Sequence, residues 1–398
     1  MKKMRVVVGM SGGVDSSVAA YLLKEQGYDV VGLFMRNWND ASVTLEDECP
    51  WIDDSRDAMM VAEQLSIPFQ VIDLSVEYKQ RIVDYMFSEY QAGRTPNPDV
   101  LCNREIKFDI FLDNALKLGA DFVATGHYVQ KSEILVNDIV EYQLIAGLDP
   151  NKDQSYFLCQ LNQFQLSKAL FPIGGMLKPE VRKIAEMQNL VTASKKDSQG
   201  LCFIGKVSLP EFLQQQLSTK IGDVIEIDEH LPKLKSHLES ISRLDSETEQ
   251  RLQKIQFVPT DGKKVGEHQG AHFYTNGQRK GLNIGGKPKP LFVLQTNVTD
   301  NVIYVGQGEE HPGLMNSGLL ILAQDAHWVR PTIKAEILNS NELLCRIRYR
   351  QELFGCTIKE MPNGDICLFF HSMKKSVTAG QFAAVYLNNE LVFSGVIS

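Results

Sequence analysis

The chain has 398 residues, which is too long for one hydrophobic core and suits two or three domains of roughly 100–200 residues each. Hydrophobic residues make up 43% and charged residues 23%, as in ordinary globular proteins, so large cores are available. No apolar stretch reaches the roughly 18 residues that span a bilayer, and no signal or transit peptide precedes the apolar run at Val6. We therefore expect a soluble, cytoplasmic protein with no membrane partner.

The net charge of −8 and the pI of about 5.6 argue against nucleic-acid binding when taken alone. The charge is uneven, however. From Lys263 onward there are 14 Lys and Arg against 11 Asp and Glu, which leaves 27 against 38 for the residues before it. Any RNA-binding surface must therefore be a local basic patch.

The first 125 residues alternate predicted strands with predicted helices, and Gly27 and Gly119 mark helix ends. This alternation predicts an α/β fold with a doubly wound parallel sheet. The predicted strands are 4–9, 29–35, 69–73 and 122–125, and the predicted helices are 16–26, 55–65, 76–91 and 103–118.

The pattern changes after about residue 205. Residues 220–290 mix short strand signals with glycine-rich turns, and short β-branched and aromatic runs recur from 290 onward, typical of a small antiparallel barrel or sandwich. We predict a domain at 1–207, a small central β-containing domain at 208–289 and a C-terminal antiparallel β-barrel at 290–398. The polar segment 229–256 carries leucines and isoleucines at helical spacing, which predicts a helical insertion without assigned chemistry.

A loop with two glycines and three serines, residues 10–17, follows the first strand and leads into a helix. Glycines let backbone N–H groups approach an anion, the helix N-terminus adds positive potential, and Ser11, Ser16 and Ser17 add hydroxyl donors. The alternative is a tight turn capped by Asp15 or Ser16. The strand–turn–helix context favours phosphate binding, and the absence of a Gly-x-x-x-x-Gly-Lys-Ser/Thr motif excludes the motor-type nucleotide loop.

The run Ser11-Gly12-Gly13-Val14-Asp15-Ser16 resembles the PP-loop of ATP pyrophosphatases. In that superfamily the loop holds the β- and γ-phosphates as a leaving group while a substrate oxygen attacks the α-phosphate. Amidotransferases, ligases and tRNA-thiolating enzymes share the loop, so this motif implies ATP but does not identify the substrate.

Seven scattered cysteines form no Cys-x-x-Cys pair, which argues against a zinc knuckle or a local redox motif. Cys102 follows the extended turn Arg94–Asp99, in which Asn97 or Asp99 can cap the next helix. A cysteine at a helix N-terminus near basic residues favours the reactive thiolate. For Cys102 alone, a buried structural role is the stronger reading.

Cys202 lies between the paired lysines Lys195-Lys196 and Gly205, with Gly200 just before it. Positive potential and glycines suit a thiolate that accepts and donates sulfur. The alternative is again an ordinary core cysteine.

Together the two cysteine segments resemble the bacterial and organellar tRNA 2-thiouridylases, and the resemblance covers essentially the whole chain outside 229–256. Further matching runs are 124–128, 151–157, 266–270 and 348–351. The resemblance implies an ATP site lined by Gly9, Met10, Ser11, Gly12, Gly13, Val14, Asp15, Ser16, Met35 and Gly126. It also implies a target-base site at Asn97, Pro98 and Asp99, and tRNA contacts at Lys152, Asp153, Gln154, Arg348 and Tyr349.

The resemblance further implies a mechanism. AMP is transferred to the C2 oxygen of the wobble uridine in the anticodon loop of Lys, Glu or Gln tRNAs, and Cys202 carries a persulfide supplied by a sulfur-relay protein or cysteine desulfurase. Its sulfur reaches C2 directly or after release by Cys102, and a Cys102–Cys202 disulfide results. Asp99 is the candidate acid/base group, or it only positions the base. Mg²⁺ accompanies ATP, and the base must leave its stack.

The histidines lack metal-ligand spacing, so no protein-held metal is expected. Arg346, Arg348 and Arg350 occupy alternate positions of a predicted strand, which predicts one basic stripe facing RNA. Two alternatives remain. One is a PP-loop ligase acting on a small molecule, which has no use for two positioned cysteines. The other is a nucleotide sensor in which both cysteines are inert.

Overall fold

The computed structural model describes residues 3–37, 50–197, 209–214, 216–242 and 249–398. Within these ranges, no helix is long and apolar enough to cross a membrane. The N-terminal elements are β1 (Arg5–Gly9), α1 (Val14–Glu25), β2 (Asp29–Arg36), α2 (Pro50–Gln64), β3 (Phe69–Asp73), α3 (Ser75–Tyr78), α4 (Asp84–Gln91), α5 (Pro98–Leu101), α6 (Phe111–Lys117), β4 (Phe122–Ala124), β5 (Val129–Val136), β6 (Ile139–Ala146), α7 (Gln163–Lys168), β7 (Ala169–Leu170) and α8 (Lys178–Met187).

Five of these strands form one parallel sheet in the order β3-β2-β1-β4-β7. Successive residues of a strand face opposite sides, and Val6 and Val8 enter one hydrophobic core while Val7 enters another. All three valines are fully buried, so both faces of the sheet are covered, as a parallel sheet requires. The predicted α/β class is confirmed.

The central part contains α9 (Leu209–Gln214), β8 (Gly222–Ile227), α10 (Pro232–Ile241), β9 (Gly262–His268), β10 (Leu291–Asn297) and β11 (Val302–Gln307). Its four strands pair in the order β10-β11-β8-β9. The predicted C-terminal domain begins at residue 290, but the hairpin β10–β11 hydrogen-bonds to β8 and therefore belongs to the central sheet. Among the described residues of the predicted helical insertion at 229–256 are α10 and a 3-10 turn, Glu249–Leu252.

Six strands form the C-terminal domain, and they close into a barrel. They are β12 (Met315–Trp328), β13 (Leu343–Arg346), β14 (Phe354–Glu360), β15 (Ile366–Lys375), β16 (Phe382–Leu387) and β17 (Glu390–Ile397), with the short helix α11 (Lys334–Leu338) between the first two. Neighbours pair antiparallel in the order β12-β15-β14-β13-β16-β17, and β12 also pairs with β17. That last pairing closes the ring, so the prediction of an antiparallel barrel is confirmed.

The N-terminal domain and the barrel share a sheet edge. The hairpin β5–β6 adds to the barrel sheet because Leu144 of β6 pairs with Leu391 of β17. Beside this pairing, the buried Arg330 donates to Glu141 at 3.3 Å and to Glu390 at 3.0 Å. The two domains are thus joined by backbone pairing and by buried charges.

Candidate active site

The phosphate loop connects β1 to α1 and has the backbone that its glycines predict. Gly12 has φ +72, a conformation that favours glycine, and a β-carbon there would clash with the carbonyl oxygen of Asp54. Gly13 is the N-cap of α1 and brings no side chain to cap it. The first N–H groups of this 12-residue helix are therefore available to an anion.

Two adjacent serines of the loop have different surroundings. The Ser16 hydroxyl accepts from the Ser11 N–H at 3.1 Å and donates to the Gly13 carbonyl at 3.1 Å. The Ser17 hydroxyl donates to the same carbonyl at 2.8 Å and accepts from Thr192 at 3.0 Å. Ser16 therefore links Ser11 to Gly13 within the loop, whereas Ser17 also connects the loop to Thr192.

The other residues predicted for the ATP site lie around this loop. A β-carbon at Gly9 would be 3.6 Å from Met35 Cε, and one at Gly126 would be 2.6 Å from the Ser16 nitrogen. Gly126 thus allows the end of β4 to contact the first turn of α1. The structure brings Gly9, Met35 and Gly126 together with the loop, although they are up to 117 residues apart in sequence.

A group of charged side chains lies at the same end of α1. Lys178 Nζ contacts the two Asp15 carboxylate oxygens at 2.7 and 2.8 Å and Asp197 Oδ1 at 2.8 Å. Tyr128 donates to Asp15 at 2.8 Å, and Lys152 and Arg182 also bind Asp197. Asp197 therefore has three cationic partners.

These contacts keep the carboxylate of Asp197 ionised. Burial raises the pKa of Asp197, but hydrogen bonds from Lys152 and Lys178 outweigh that effect and lower it to about 2. Burial and the neighbouring Asp15 carboxylate raise the pKa of Tyr128, so its hydroxyl remains a donor. Lys178 has no sequence signal of its own, because only the fold brings the start of α8 to the phosphate loop.

Cys102 lies in a continuous helical segment that begins with α5, passes through a π-helix over Cys102–Ile110 and ends with α6. The Asn97 side chain caps this segment by accepting from the Val100 N–H at 3.2 Å, so Asn97 rather than Asp99 is the cap. Cys102 is 0% exposed and lies in the second turn, not at the first residue. π-Helical turns occur frequently at functional sites, and no sequence signal predicted this one.

The same helical segment links Cys102 to the phosphate loop. Phe111, nine residues further along, lies 3.5 Å from where a β-carbon of Gly9 would be. Because most of this stretch is π-helical, the α-helical rise of 1.5 Å per residue sets an upper limit of roughly 13 Å on the separation of Cys102 and Phe111 along the helix. The helical segment therefore connects the two predicted reaction centres.

Three domains meet at the turn before Cys102. The Thr95 N–H donates to the Ala379 carbonyl of the barrel at 2.9 Å, and the Thr95 hydroxyl contacts that of Thr275 in the central domain at 3.0 Å. Gln381 of the barrel donates to the carbonyls of Thr95 and Pro96, and its Oε1 accepts from Asn97 at 3.3 Å. Asn97, Pro98 and Asp99 are all partly exposed at this junction.

The predicted tRNA contacts 152–154 have different surroundings. Lys152 is partly exposed and binds Asp197. Asp153 is 5% exposed and accepts from the Gly147 and Ser155 N–H groups at 3.0 Å each. The Gln154 side-chain oxygen accepts from the Tyr128 N–H at 3.0 Å. Asp153 and Gln154 thus fix the loop on which Lys152 is presented, and their contact with tRNA stays a prediction.

The predicted stripe of Arg346, Arg348 and Arg350 is wrong. Strand β13 ends at Arg346, which is 8% exposed and binds the buried Asp153 at 3.0 Å. The chain then turns, and Arg350 has φ +62. Side chains alternate only along a strand, so these three arginines do not share one face.

Tyr349 nevertheless lies near the Cys102 helix. Its ring packs on Phe157 with centroids 4.2 Å apart, whereas the neighbouring Arg348 donates to the Ser376 carbonyl of the barrel at 2.6 Å. The Phe157 carbonyl accepts from the Asn103 side chain at 3.2 Å. The barrel turn therefore contacts the helix through one intervening residue.

Comparison with known proteins identifies the family. Residues 4–206 match a model described as the tRNA methyl transferase HUP domain, residues 246–307 match the tRNA methyl transferase PRC-barrel domain, and residues 319–397 match the aminomethyltransferase beta-barrel domain. The tRNA-specific 2-thiouridylase MnmA of Flavobacterium johnsoniae is 60% identical over 394 residues, covering 99% of this chain and 100% of the relative.

Two further relatives carry the same name. Identity to the MnmA of Christiangramia forsetii is 59% over 405 residues, with all of both chains covered. The MnmA of Staphylococcus epidermidis is 43% identical over 394 residues, covering 99% of this chain and 95% of the relative. The chain belongs to the tRNA-specific 2-thiouridylase family. The resemblance first seen in the two cysteine segments and the PP-loop is thereby confirmed.

Cys202 and Cys49 lie outside the described residues, so the predicted meeting of Cys102 with Cys202 stays a prediction. Asp197 precedes Cys202 by five residues in sequence. The charged group around Lys178 therefore fixes the chain shortly before the segment that carries the second cysteine.

The histidines show no metal centre. Within the described ranges, no three His, Cys, Asp or Glu side chains are grouped as metal ligands. His127 is buried and contacts the Thr125 hydroxyl through Nδ1 at 2.7 Å. Burial, and to a lesser degree Lys107, lowers the pKa of His127 well below its usual value, so it is neutral at physiological pH.

Proposed function

We propose that this protein is a tRNA-uridine 2-sulfurtransferase that forms 2-thiouridine at the wobble position by an ATP-dependent reaction. Full-length relatives named tRNA-specific 2-thiouridylase, at 43–60% identity, carry this proposal. The geometry adds two elements that the reaction needs. These are a loop at the N-terminus of α1 that suits an anion, and a cysteine on the helical segment that runs from the domain junction toward that loop.

ATP activates the uridine in the first step. The C2 oxygen attacks the α-phosphate, and pyrophosphate leaves, so that oxygen departs later as part of AMP. In the proposal, the N–H groups of the first turn of α1 and the loop from Gly9 to Ser16 hold the β- and γ-phosphates, with Met35 and Gly126 beside the nucleotide. Mg²⁺ enters with ATP, because it is usually held through phosphate oxygens and water with few protein carboxylates.

Sulfur replaces oxygen in the second step. A persulfide on Cys202, supplied by a sulfur-relay protein or cysteine desulfurase, attacks C2, and AMP leaves. Cys102 then attacks Cys202 Sγ, which frees the thiolated base and forms a disulfide. Alternatively, Cys102 first releases the sulfur as hydrosulfide, which attacks C2. Both routes give the same Cys102–Cys202 disulfide, which a two-electron reductant must reopen.

The target base enters at Asn97, Pro98 and Asp99 in this proposal. Asn97 caps the Cys102 helix and contacts Gln381 of the barrel. The same residue would therefore bind the base and hold the N-terminal domain against the barrel. Asp99 is partly exposed and remains the candidate acid/base group or base-positioning group. The tRNA is a Lys, Glu or Gln acceptor engaged through its anticodon loop, with Lys152, Asp153, Gln154, Arg348 and Tyr349 as contacts. The proposed location is the cytoplasm, where tRNA and ATP are found.

The test is nucleoside analysis of tRNA after incubation with the protein, ATP and a persulfide donor. We expect 2-thiouridine that requires all three components. Pyrophosphate release triggered by a small metabolite without tRNA, and no thiolated nucleoside, would instead support a PP-loop ligase.

A further inference from the structure

Four charged side chains of alternating sign connect the phosphate loop to a predicted tRNA contact. Asp15 of the loop binds Lys178 Nζ at 2.7 Å, Lys178 binds Asp197 at 2.8 Å, and Asp197 binds Lys152 at 2.5 Å. We refer to these four residues as the charge chain. One end lies at the proposed ATP site, and the other is the only positively charged residue of the predicted contact 152–154.

Lys178 is the central member and is poorly solvated. Only 9% of its side chain is exposed, and its own N–H donates to Asp149 at 3.0 Å, which fixes the start of α8. Water cannot readily replace either carboxylate partner of a buried ammonium group, so Asp15 and Asp197 share one cation. A change in charge near one of these carboxylates therefore changes how strongly Lys178 interacts with the other.

We propose that Lys178 and Asp197 are positioning residues that couple the ATP site to the tRNA site, so that each ligand weakens the binding of the other. The inference rests on the proposed function, because it takes ATP at the loop and tRNA at Lys152. Beyond the proposed function, it assigns to Lys178 and Asp197 a regulatory role between the ATP site and the tRNA site.

The direction of the coupling follows from the order of charges. A tRNA phosphate attracts Lys152 and withdraws one of the three cations of Asp197. Asp197 then holds Lys178 more firmly, and less positive charge remains beside Asp15 for a triphosphate. In the reverse direction, a triphosphate attracts Lys178, and Asp197 then holds Lys152 more firmly. The two effects are equal by linkage.

The coupling has a consequence for the reaction. Pyrophosphate contains the two phosphates of ATP that the loop holds, and it carries at least as much negative charge as they do. Engagement of tRNA at Lys152 would therefore loosen pyrophosphate after adenylation and favour its release.

The experiment compares binding ratios. The Kd of α,β-methylene-ATP, which cannot release pyrophosphate, is measured with and without a saturating unmodified tRNA transcript. The ratio of interest is the Kd with tRNA divided by the Kd without tRNA. We expect this ratio to be at least about fivefold larger in the wild type than in Asp197→Asn or Lys178→Met. Lys178→Met removes the ion pairs of Lys178 with Asp15 and Asp197, and Asp197→Asn removes those of Asp197 with Lys178 and Lys152. Either variant that folds therefore interrupts the charge chain and decides the question.

Lys195→Met is the matched control. Lys195 is also a partly buried lysine near the loop, but it binds Asp54 and Asp57 rather than members of the charge chain. It should keep the wild-type ratio. Equal ratios, within about twofold, in the wild type and both charge-chain variants would overturn the coupling. In that case the proposed function would still stand, provided that the wild type binds both ligands, whereas a wild type that binds neither would contradict the function itself.

Discussion

The two predicted reaction centres that the Cys102 helix connects are stabilised in different ways. At the phosphate loop, the contacts made by the described residues come from the N-terminal domain, and charged groups dominate, with Lys178 shared between Asp15 and Asp197. At the turn before Cys102, uncharged hydrogen bonds from the central domain and the barrel meet at Thr95. One site is local and electrostatic, and the other depends on three domains.

This difference separates ATP binding from base binding in the proposed mechanism. The proposed ATP site lies on a single domain, so ATP binding should tolerate changes at the domain junction. Both adenylation and sulfur transfer need the target base, which the proposal places at the junction, where Asn97 caps the Cys102 helix and also contacts Gln381. Substitutions at the junction should therefore impair thiolation and spare the binding of ATP.

The largest expected effect is at Cys102. Replacement of Cys102 by Ser should reduce 2-thiouridine formation at least about 1,000-fold, because a hydroxyl cannot form the disulfide that releases sulfur. Pyrophosphate release and a persulfide on Cys202 should persist, which mass spectrometry of the peptides can show. Cys159→Ser is the control, since Cys159 is equally buried in the same core. Thiolation at the wild-type rate by Cys102→Ser would end the two-cysteine mechanism.

The next effect concerns the phosphate loop. Ser16→Ala removes the hydroxyl that accepts from the Ser11 N–H, so tRNA-dependent pyrophosphate release should fall roughly 100-fold. Binding of tRNA should remain within about twofold, as measured by filter binding. Ser17→Ala is the matched control, because its hydroxyl faces Thr192 instead. If the two variants lose activity equally, the hydroxyl of Ser16 has no special role.

The phosphate loop was predictable because its determinants are local. The positive φ of Gly12, the cap position of Gly13 and the start of α1 all lie within a few residues, and a short motif specifies them. The alternating strands and helices of the first domain were predictable for the same reason. Their periodicity is a property of each segment.

The features that were missed or mistaken are non-local. The hairpin β10–β11 pairs with β8, some 80 residues earlier, and no property of residues 291–307 indicates that partner. Arg346 turns inward because Asp153, about 190 residues away, binds it, which alternation along one strand cannot anticipate. Lys178 carries no motif of its own, and its role is visible only once α8 contacts α1.

The third prediction tests the domain junction. Gln381→Ala removes its hydrogen bonds to Thr95, Pro96 and Asn97, so thiolation should fall roughly tenfold while the Kd of α,β-methylene-ATP stays within about twofold of the wild type. Gln64→Ala, which removes contacts to Asn189 and Val191 within the N-terminal domain, should leave both quantities near wild type. Thiolation is measured as 2-thiouridine, and ATP binding is measured by titration with the analogue. A parallel loss of ATP binding and thiolation in Gln381→Ala would show that the ATP site also depends on the domain junction.

The smallest effect is the response of the electrostatic end to acid. The pKa of Asp197 is lowered to about 2 in the folded protein from a usual value of 3.8. Its ion pairs therefore stabilise the fold fully above about pH 4, and this contribution is lost as the pH falls through about 2. Because 34% of the side chain is exposed, solvent screening limits the contribution to about 1 kcal/mol or less.

Asp197→Asn should therefore lose less stability than the wild type when the pH falls from about 4 to about 2, since Asn cannot take up the proton. The measurement is the free energy of unfolding of the N-terminal domain from denaturant titrations at several pH values. Glu342→Gln is the control, because Glu342 is an exposed carboxylate of the barrel with no ion pair among the described residues. It should follow the wild-type curve. Suppose instead that the wild-type curve is parallel to that of Asp197→Asn through this interval. The ion pairs of Asp197 with Lys152, Lys178 and Arg182 would then orient these side chains without adding net stability. The contrast between the phosphate loop and the turn before Cys102 would rest on geometry rather than on charge.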